Sequence, residues 1–160
     1  MAILTNSGRI AMAMSVKAQP LHLAWGSGNA AWDTTPVAES ITATALLAEI
    51  GRRKATYVNY CTPDEAGAII VPTGHFTESA TPTKHLYMRF AFDFTDAPTS
   101  TIRELAVFVG TDTDPDLPVG QMYFNPADVV DPGTLLVIEH IQKFERSASV
   151  RQTFEFVVTF

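Results

Sequence analysis

At residues 102–110 the chain reads Ile102-Arg103-Glu104-Leu105-Ala106-Val107-Phe108-Val109-Gly110. Successive side chains of a strand point to opposite faces of a sheet. The apolar run 105–109 therefore gives a strand that is apolar on both faces, which is typical of a central, fully buried strand. We predict such a strand over 102–110, with the rest of the fold built around it.

Two charged residues, Arg103 and Glu104, open this apolar strand. Buried charges are costly unless they are paired, so each one needs a partner. Glu49, Arg52 and Arg53 lie together earlier in the chain. We predict a structural charge cluster in which Arg103 pairs with an acid such as Glu49, and Glu104 pairs with Arg52 or Arg53. The alternative is that Arg103 and Glu104 reach a neighbouring subunit.

Period-two alternation predicts further strands at 85–95 and 152–160, where apolar and polar residues take turns over the whole segment. Other short runs complete the list of predicted strands: 21–25, 53–62, 68–71, 121–124 and 134–144. The residues 64–67 are predicted to form a hairpin turn between two of these strands. The polar segment 73–82 is predicted to be an edge strand or a long connection.

Helices of more than one turn are predicted only in the first third of the chain, and residues 126–130 are predicted to form a single helical turn. Thr5, Asn6 and Ser7 are helix N-cap residues, and Pro20 ends the helical spacing that follows, so we predict a helix over 5–18. A second short helix is predicted over 41–50. The fold class is α+β, mainly β: an antiparallel sandwich-like sheet of about seven strands with one or two short N-terminal helices. Residues 1–160 are expected to form a single domain with a β-rich body over 52–160.

Composition narrows the range of partners. The formal net charge of −6 argues against nucleic acid, because phosphate binding needs clustered Lys and Arg. Charged residues make up only 18% of the chain, which favours a protein that buries part of its surface in an assembly. No apolar run is long enough for a membrane span, and the N-terminus lacks the pattern of a secretory signal. The single cysteine, Cys61, excludes an internal disulfide and is expected to be buried.

No arrangement of residues indicates catalysis, and we expect a protein that is not an enzyme and has no cofactor. The four histidines are scattered without metal-ligand spacing, and no nucleophile elbow or phosphate loop is present. Asp112, Asp114 and Asp116 open like a calcium loop, but Leu117 and Tyr123 occupy the positions that need Gly and Glu. We interpret residues 112–116 as an acidic surface turn, with an irregular cation site as the less favoured alternative.

Several of these segments, taken in order, resemble a known family. They are Leu4-Thr5-Asn6-Ser7-Gly8, Glu49-Ile50-Gly51-Arg52-Arg53, the strand at 102–110 and the C-terminal run 149–154. The series is similar to the N-terminal attachment domain of phage tail-fibre and tail-collar proteins of contractile-tailed phages. Ala106 stands where that family usually has Gly. In that family the domain is followed by a shaft and a receptor-binding tip. The sequence ends at Phe160, and we therefore expect a stand-alone baseplate or tail structural protein.

The resemblance implies a structural component of the virion that docks between tail or baseplate and fibre proteins during assembly in the host cytoplasm. Its implied partners are wedge, sheath or tail-fibre proteins, without nucleic acid or membrane. It also implies a homo-oligomer, or ring copies in multiples of three or six.

A small β-sandwich that binds carbohydrate or a receptor at the tail tip is the alternative function. Trp25, Trp32 and Tyr87 are the aromatic side chains that we expect to be exposed. These three side chains could stack on sugars, and so could Tyr57, Tyr60 and Tyr123. Aromatic side chains also anchor protein interfaces, so composition leaves both functions open.

Overall fold

A computed structural model describes all residues, 1–160, and shows a mainly β chain with one α-helix. The helix α1 spans Asn6–Lys17, and two 3₁₀ turns span Ala30–Asp33 and Pro126–Asp128. The strands are β1 Leu21–Gly26, β2 Glu49–Lys54, β3 Tyr57–Pro63, β4 Ile69–Val71, β5 Gly74–Ser79, β6 His85–Phe92, β7 Thr101–Val109, β8 Asp112–Thr113, β9 Tyr123–Phe124, β10 Val129–Asp131, β11 Thr134–Glu145 and β12 Gln152–Thr159. No helix has the length and apolar character needed to cross a membrane.

The chain forms two compact units, and neither is a continuous segment. The first unit contains Met1–Gln19, Ala55–Phe90 and Thr153–Phe160, and the second contains Pro20–Lys54 and Ala91–Gln152. That the 160 residues form one domain stays a prediction.

The second unit is built on a five-stranded sheet in the order β11-β7-β1-β2-β9, beside a two-stranded ribbon of β8 and β10. β7 lies between β11 and β1, and its residues 104–109 are all buried. The register aligns Ala24 with Ala106, and both belong to one apolar cluster together with Leu46 and Phe108. The prediction of a buried central strand at 102–110 is confirmed, because apolar side chains on both faces allow packing on both.

The first unit carries α1 and a second five-stranded sheet in the order β12-β6-β3-β5-β4. Its core contains Cys61, Ile69, Val71, Phe76 and Tyr87. The helix begins as predicted, because the Thr5 hydroxyl accepts a hydrogen bond from the Gly8 N–H at 3.1 Å and satisfies one free donor of the first turn.

The predicted second helix over 41–50 is wrong. Residues 41–48 contain no helix, and β2 begins at Glu49. Leu46 is the only buried apolar side chain in this segment, whereas Ile41 and Leu47 are exposed, so no apolar helix face exists to be packed. The N–H groups of Leu47 and Ala48 donate to the Glu104 carboxylate instead of to a helical carbonyl.

Three strand predictions also need correction, and the count of about seven strands becomes twelve. The single strand predicted over 53–62 is two strands, β2 and β3, which belong to different sheets. The segment predicted as an edge or connection, 73–82, contains β5, which pairs with both β3 and β4. The turn at 64–67 therefore joins two strands that are not neighbours. The strand predicted at 21–25 is β1, Leu21–Gly26.

Candidate functional site

The predicted charge cluster is dispersed within the second unit, beginning with Arg103. Its Nε and Nη2 atoms donate to the two carboxylate oxygens of Asp33 at 2.8 and 2.9 Å, and its Nη1 donates to the Ser27 carbonyl at 3.1 Å. This bidentate geometry fits the planar guanidinium. The predicted pairing of Arg103 with Glu49 is therefore wrong, because an acid 70 residues earlier in the chain occupies the guanidinium.

Arg52 is the partner of Glu49, through two hydrogen bonds of 2.8 Å. The Arg52 side chain is only 2% exposed, and its Nη1 atom also donates to the Thr111 hydroxyl and the Pro132 carbonyl. Its guanidinium carbon lies 4.3 Å from the centre of the Phe108 ring. Arg52 is thus a fully satisfied buried cation that joins β2 to the segments after β7.

Arg53 and Glu104 do not contact one another. Arg53 Nη1 forms a short ion pair with Asp96, in the segment after β6. Glu104 is completely buried, and its carboxylate accepts hydrogen bonds from the N–H groups of Leu47 and Ala48 at 3.0 and 2.8 Å. The predicted pairing of Glu104 with Arg52 or Arg53 is wrong, because two backbone donors satisfy the carboxylate. A methyl group on Gly26 would overlap this carboxylate.

Two of the three aromatic residues predicted to be exposed are buried. Trp25 has no exposed surface, stacks on Phe92 with ring centres 3.6 Å apart, and donates from Nε1 to the Tyr123 hydroxyl. Tyr87 is 5% exposed, and its hydroxyl donates to Glu155 at 2.8 Å. Burial and this carboxylate raise the pKa of Tyr87. The prediction of exposure fails because alternation alone does not say which face of a strand meets another layer.

Trp32, the third of these residues, is half-buried and lies at a groove beside β11. Its indole stacks on the His140 ring with centres 4.2 Å apart and planes 24° apart. Gly28, with φ +54°, lies so close to the indole that a Cβ there would overlap it. The groove has a volume of about 590 Å³, and the residues that line it are Trp32, Asp33, Pro36, Val37, Ala38, Glu39 and 140–143.

Asp33 is the charged anchor of this groove. Its carboxylate accepts hydrogen bonds from Arg103 of β7. It also forms an ion pair with Lys143 of β11, whose Nζ lies 2.9 Å from Oδ2. These two cations hold the pKa of Asp33 far below its usual value. The 3₁₀ turn Ala30–Asp33 is in this way tied to two neighbouring strands of the sheet.

His140 fixes the opposite wall of the groove. Its backbone N–H donates to the Glu39 carboxylate at 2.8 Å, and its Nδ1 lies 2.6 Å from the Val37 carbonyl oxygen. A carbonyl only accepts, so Nδ1 carries a proton. The backbone hydrogen bond lowers the pKa of Glu39. The segment 36–39 is thereby held along the outer side of β11, the side that faces away from β7.

A bulge in β11 coincides with the groove. His140 lies opposite Glu104 and Phe144 lies opposite Ile102, so the three residues 141–143 of β11 face Arg103 alone. Bulges change the direction of side chains at sheet edges and beside functional sites. Here the bulge brings Lys143 to Asp33, and residues 141–143 line the groove.

The sequence singled out Arg103 and Trp32 but did not connect them, and it gave Asp33, Glu39 and Lys143 no role. The contacts that unite them span 70 residues of chain between Arg103 and Asp33 and 110 residues between Lys143 and Asp33. The Trp32-Asp33 pair after a Gly-rich loop was the one local signal.

No group of three or more His, Cys, Asp or Glu side chains is arranged to hold a metal ion. The predicted acidic turn at 112–116 is partly strand, because Asp112 and Thr113 form β8, and the turn proper begins at Asp114, whose carboxylate accepts a hydrogen bond from the Asp116 N–H.

The fold and the groove describe a β-sheet protein that presents a long edge strand and an open, partly apolar groove beside it. The whole chain, residues 1–160, matches the family described as baseplate wedge 3 tail fiber network component, and the chain belongs to this family. This match confirms the resemblance to a phage baseplate and tail-fibre attachment domain. The family description names a baseplate component and no enzymatic activity. A search of curated proteins found no match.

Proposed function

We propose that this chain is a docking component of the phage tail, which joins baseplate wedge proteins to tail-fibre proteins of a contractile tail during assembly in the host cytoplasm. The observation that carries the proposal is β11. This twelve-residue strand lies at the edge of its sheet, and its six apolar side chains are all only half-buried. They are Leu135, Leu136, Val137, Ile138, Ile141 and Phe144.

An exposed edge strand with apolar side chains is a hazard for a protein that works alone. Its free N–H and C=O groups pair readily with other strands, and natural proteins protect such edges with charges, prolines or covering segments. The segment 36–39 covers β11 only around His140. The remaining edge is therefore well suited to burial against a neighbouring subunit, where apolar area and aromatic anchors supply the stability.

The carbohydrate-binding alternative loses support from the aromatic residues. Of the six side chains considered for stacking, Trp25 and Tyr87 are buried and three are half-buried. Only Tyr57 is exposed. A sugar-binding platform needs accessible ring faces, and the Trp32 indole has Gly28 on one side and His140 on another. Protein docking is the function that the geometry supports better.

Quantitative mass spectrometry of purified tail particles tests the proposal, with this chain counted against the tail-tube protein. We expect a fixed copy number in multiples of three or six. Absence of the chain from complete particles would contradict the docking role. A glycan array with the isolated protein is the companion measurement: a docking component ignores sugars, whereas micromolar-to-millimolar binding would favour the alternative.

A further inference from the structure

We propose that the groove beside β11 binds an extended segment of a partner baseplate or fibre protein, and that a Lys or Arg side chain of this segment lies at Glu39 and Glu139. The inference rests on the proposed docking function and adds the site and the chemistry of the partner. Its starting point is that Glu39, which lines the groove, and Glu139, which directly precedes the lining residue His140 in β11, have no cationic partner in the structure.

Neither Glu39 nor Glu139 takes part in an ion pair, although five ion pairs are present in the structure. Both side chains belong to exposed residues. The Glu39 carboxylate accepts hydrogen bonds only from backbone N–H groups. The pKa of Glu139 is raised, mainly by burial and to a smaller extent by the negative charge of Glu39. The Glu39 carboxylate lies 2.8 Å from the backbone nitrogen of His140, the residue that follows Glu139, so the two acids are close in space and their charges repel one another. A cation placed between them would replace this repulsion by two attractions.

The cations at the groove are both engaged with Asp33. Lys143 and Arg103 contact its single carboxylate, so the surroundings of Asp33 carry a net positive charge. His140 uses Nδ1 to bind the Val37 carbonyl. The charge at the groove is therefore uneven, positive around Asp33 and negative around Glu39, and this asymmetry specifies where a basic side chain would lie.

The shape of the groove suits an extended peptide. Its walls are two runs of four consecutive residues, 36–39 and 140–143. Four fully extended residues span about 13 Å, and the bulge at 141–143 shortens its wall, so the groove accommodates an extended segment of at most about four residues. Val37 is 50% exposed and, with Pro36 and Ile141, offers apolar surface for the neighbouring side chains of that peptide. Proteins commonly recognise an extended segment through hydrogen bonds to its main chain and pockets for every second side chain.

The charge of the whole chain favours a different protein over a second copy as the occupant. The sequence has 17 acidic and 11 basic residues, so a second copy brings mainly further negative charge to the acid pair. The same acids repel the phosphates of nucleic acid. A basic segment of another tail protein has the complementary charge.

Photo-crosslinking in assembled particles identifies the occupant. The full chain carries p-benzoylphenylalanine at position 37, in the groove, or at position 70, on the exposed Ile70 of β4, as the matched control. We expect position 37 to cross-link to one segment of another tail protein with a Lys or Arg within about two residues of the cross-link. A cross-link to a second copy of this chain, to a segment without a basic residue, or from position 70 alone would overturn the inference.

Charge removal then tests the acid pair. The probe is a synthetic peptide of the cross-linked segment, and the variant is Glu39→Gln with Glu139→Gln; the glutamine at 39 keeps an acceptor for the His140 N–H. We expect about tenfold weaker binding and a smaller dependence on salt. Asp116→Asn, on the exposed acidic turn, is the matched control and should leave binding unchanged.

Charge exchange gives the converse measurement. A peptide with its basic residue changed to Glu should lose binding to the natural chain and regain it with Glu39→Lys plus Glu139→Lys. Full binding by the double Gln variant would overturn the inference, while a fixed copy number in particles would leave the docking function intact. Absence from particles would instead contradict the docking function itself.

Discussion

Two buried ionisable side chains of the second unit, Glu104 and His22, are stabilised to different degrees. Glu104 is fully enclosed, but two backbone N–H groups donate to its carboxylate. His22 is 3% exposed, and neither of its ring nitrogens has a hydrogen-bond partner. Its ring lies edge-on to Phe124, with centres 5.5 Å apart. The hydrogen-bonded Glu104 stabilises the fold, whereas the unpaired His22 ring lowers its stability.

We expect His22 to make stability depend on pH. Burial, with the nearby charges of Arg52 and Lys54, lowers the pKa of His22 from 6.5 to about 4. Between these two values the unfolded chain binds a proton at this site and the folded chain does not, so stability rises with pH across that window. As the pH falls from above 6.5 to below 4, this site lowers the free energy of unfolding by about 3 kcal/mol in total.

The measurement is the free energy of unfolding in urea between pH 4 and pH 8, for the natural chain and for His22→Phe. Carboxylates with lowered pKa, such as Asp93, add their own acid sensitivity to both proteins. The variant should therefore lose less stability than the natural chain as the pH falls from 6.5 to 4. Equal losses in the two proteins would contradict the assignment, and His75→Phe, at an exposed position, is the control.

Glu104→Ala tests the entrance of the central strand. The substitution leaves the Leu47 and Ala48 N–H groups without their acceptor and opens space beside Gly26. We expect a loss of about 3 kcal/mol in the free energy of unfolding, because unsatisfied buried donors and a cavity both cost stability. Urea denaturation measures it, with exposed Glu65→Ala as the control. If Glu104→Ala changes neither stability nor assembly, the structural role of this residue is wrong.

At the scale of elements, Arg146 holds together the ends of β6 and β11. It is 5% exposed and has no carboxylate partner, but its guanidinium donates to three carbonyls, those of Asp93, Asp96 and Val150. It also lies over the Trp25 ring at 5.2 Å. A planar group with five donors suits three acceptors that point from different directions, which an ammonium group cannot match.

We expect Arg146→Lys to loosen the segments that follow β6 and β11. The loss in the free energy of unfolding should be about 2 kcal/mol, since at least two buried carbonyls lose their donor. Hydrogen exchange should become faster in 93–96 and 147–150 and remain unchanged in α1. Arg151→Lys is the matched control, because the Arg151 side chain is 66% exposed and its contacts, an ion pair with Asp93 and the ring of Phe94 at 4.9 Å, lie at the surface. Unchanged exchange in 93–96 would rule out this role.

At the scale of the whole molecule, the C-terminal strand belongs to a unit that begins at Met1. β12 forms the edge of the first unit's sheet beside β6. Phe156 packs on Phe90 with ring centres 6.2 Å apart, and Glu155 accepts from the Tyr87 hydroxyl. The same unit contains Cys61, which is completely buried and has its pKa raised to about 11 by burial. Cys61 is therefore a natural reporter of the integrity of this unit.

We expect removal of residues 153–160 to expose Cys61. In the natural chain the thiol should not react with a disulfide reagent such as DTNB at pH 8, because it is both inaccessible and protonated. The shortened chain loses one of five strands, and its thiol should react within minutes. The exposed-surface variant Glu65→Ala, at full length, is the control for the assay. Equal protection in the shortened chain would show that β12 is dispensable for the core.

The local pattern of the sequence determined the main elements. The N-cap residues and Pro20 predicted α1, alternation predicted β6 and β12, and the apolar run at 105–109 predicted a buried central strand. These features depend on backbone geometry and on burial, which the order of residues encodes directly. The order of the motifs likewise predicted the attachment-domain family, which the match over the whole chain confirms.

Only the tertiary structure decided which charges meet and which aromatic side chains are covered. Arg103 binds Asp33 and Glu104 binds two backbone N–H groups, because strand register and the β11 bulge bring those groups within reach. The groove has the same origin, since its two walls lie about a hundred residues apart in the chain. Side-chain pairing depends on distances across strands, and a sequence read from one end to the other does not contain those distances.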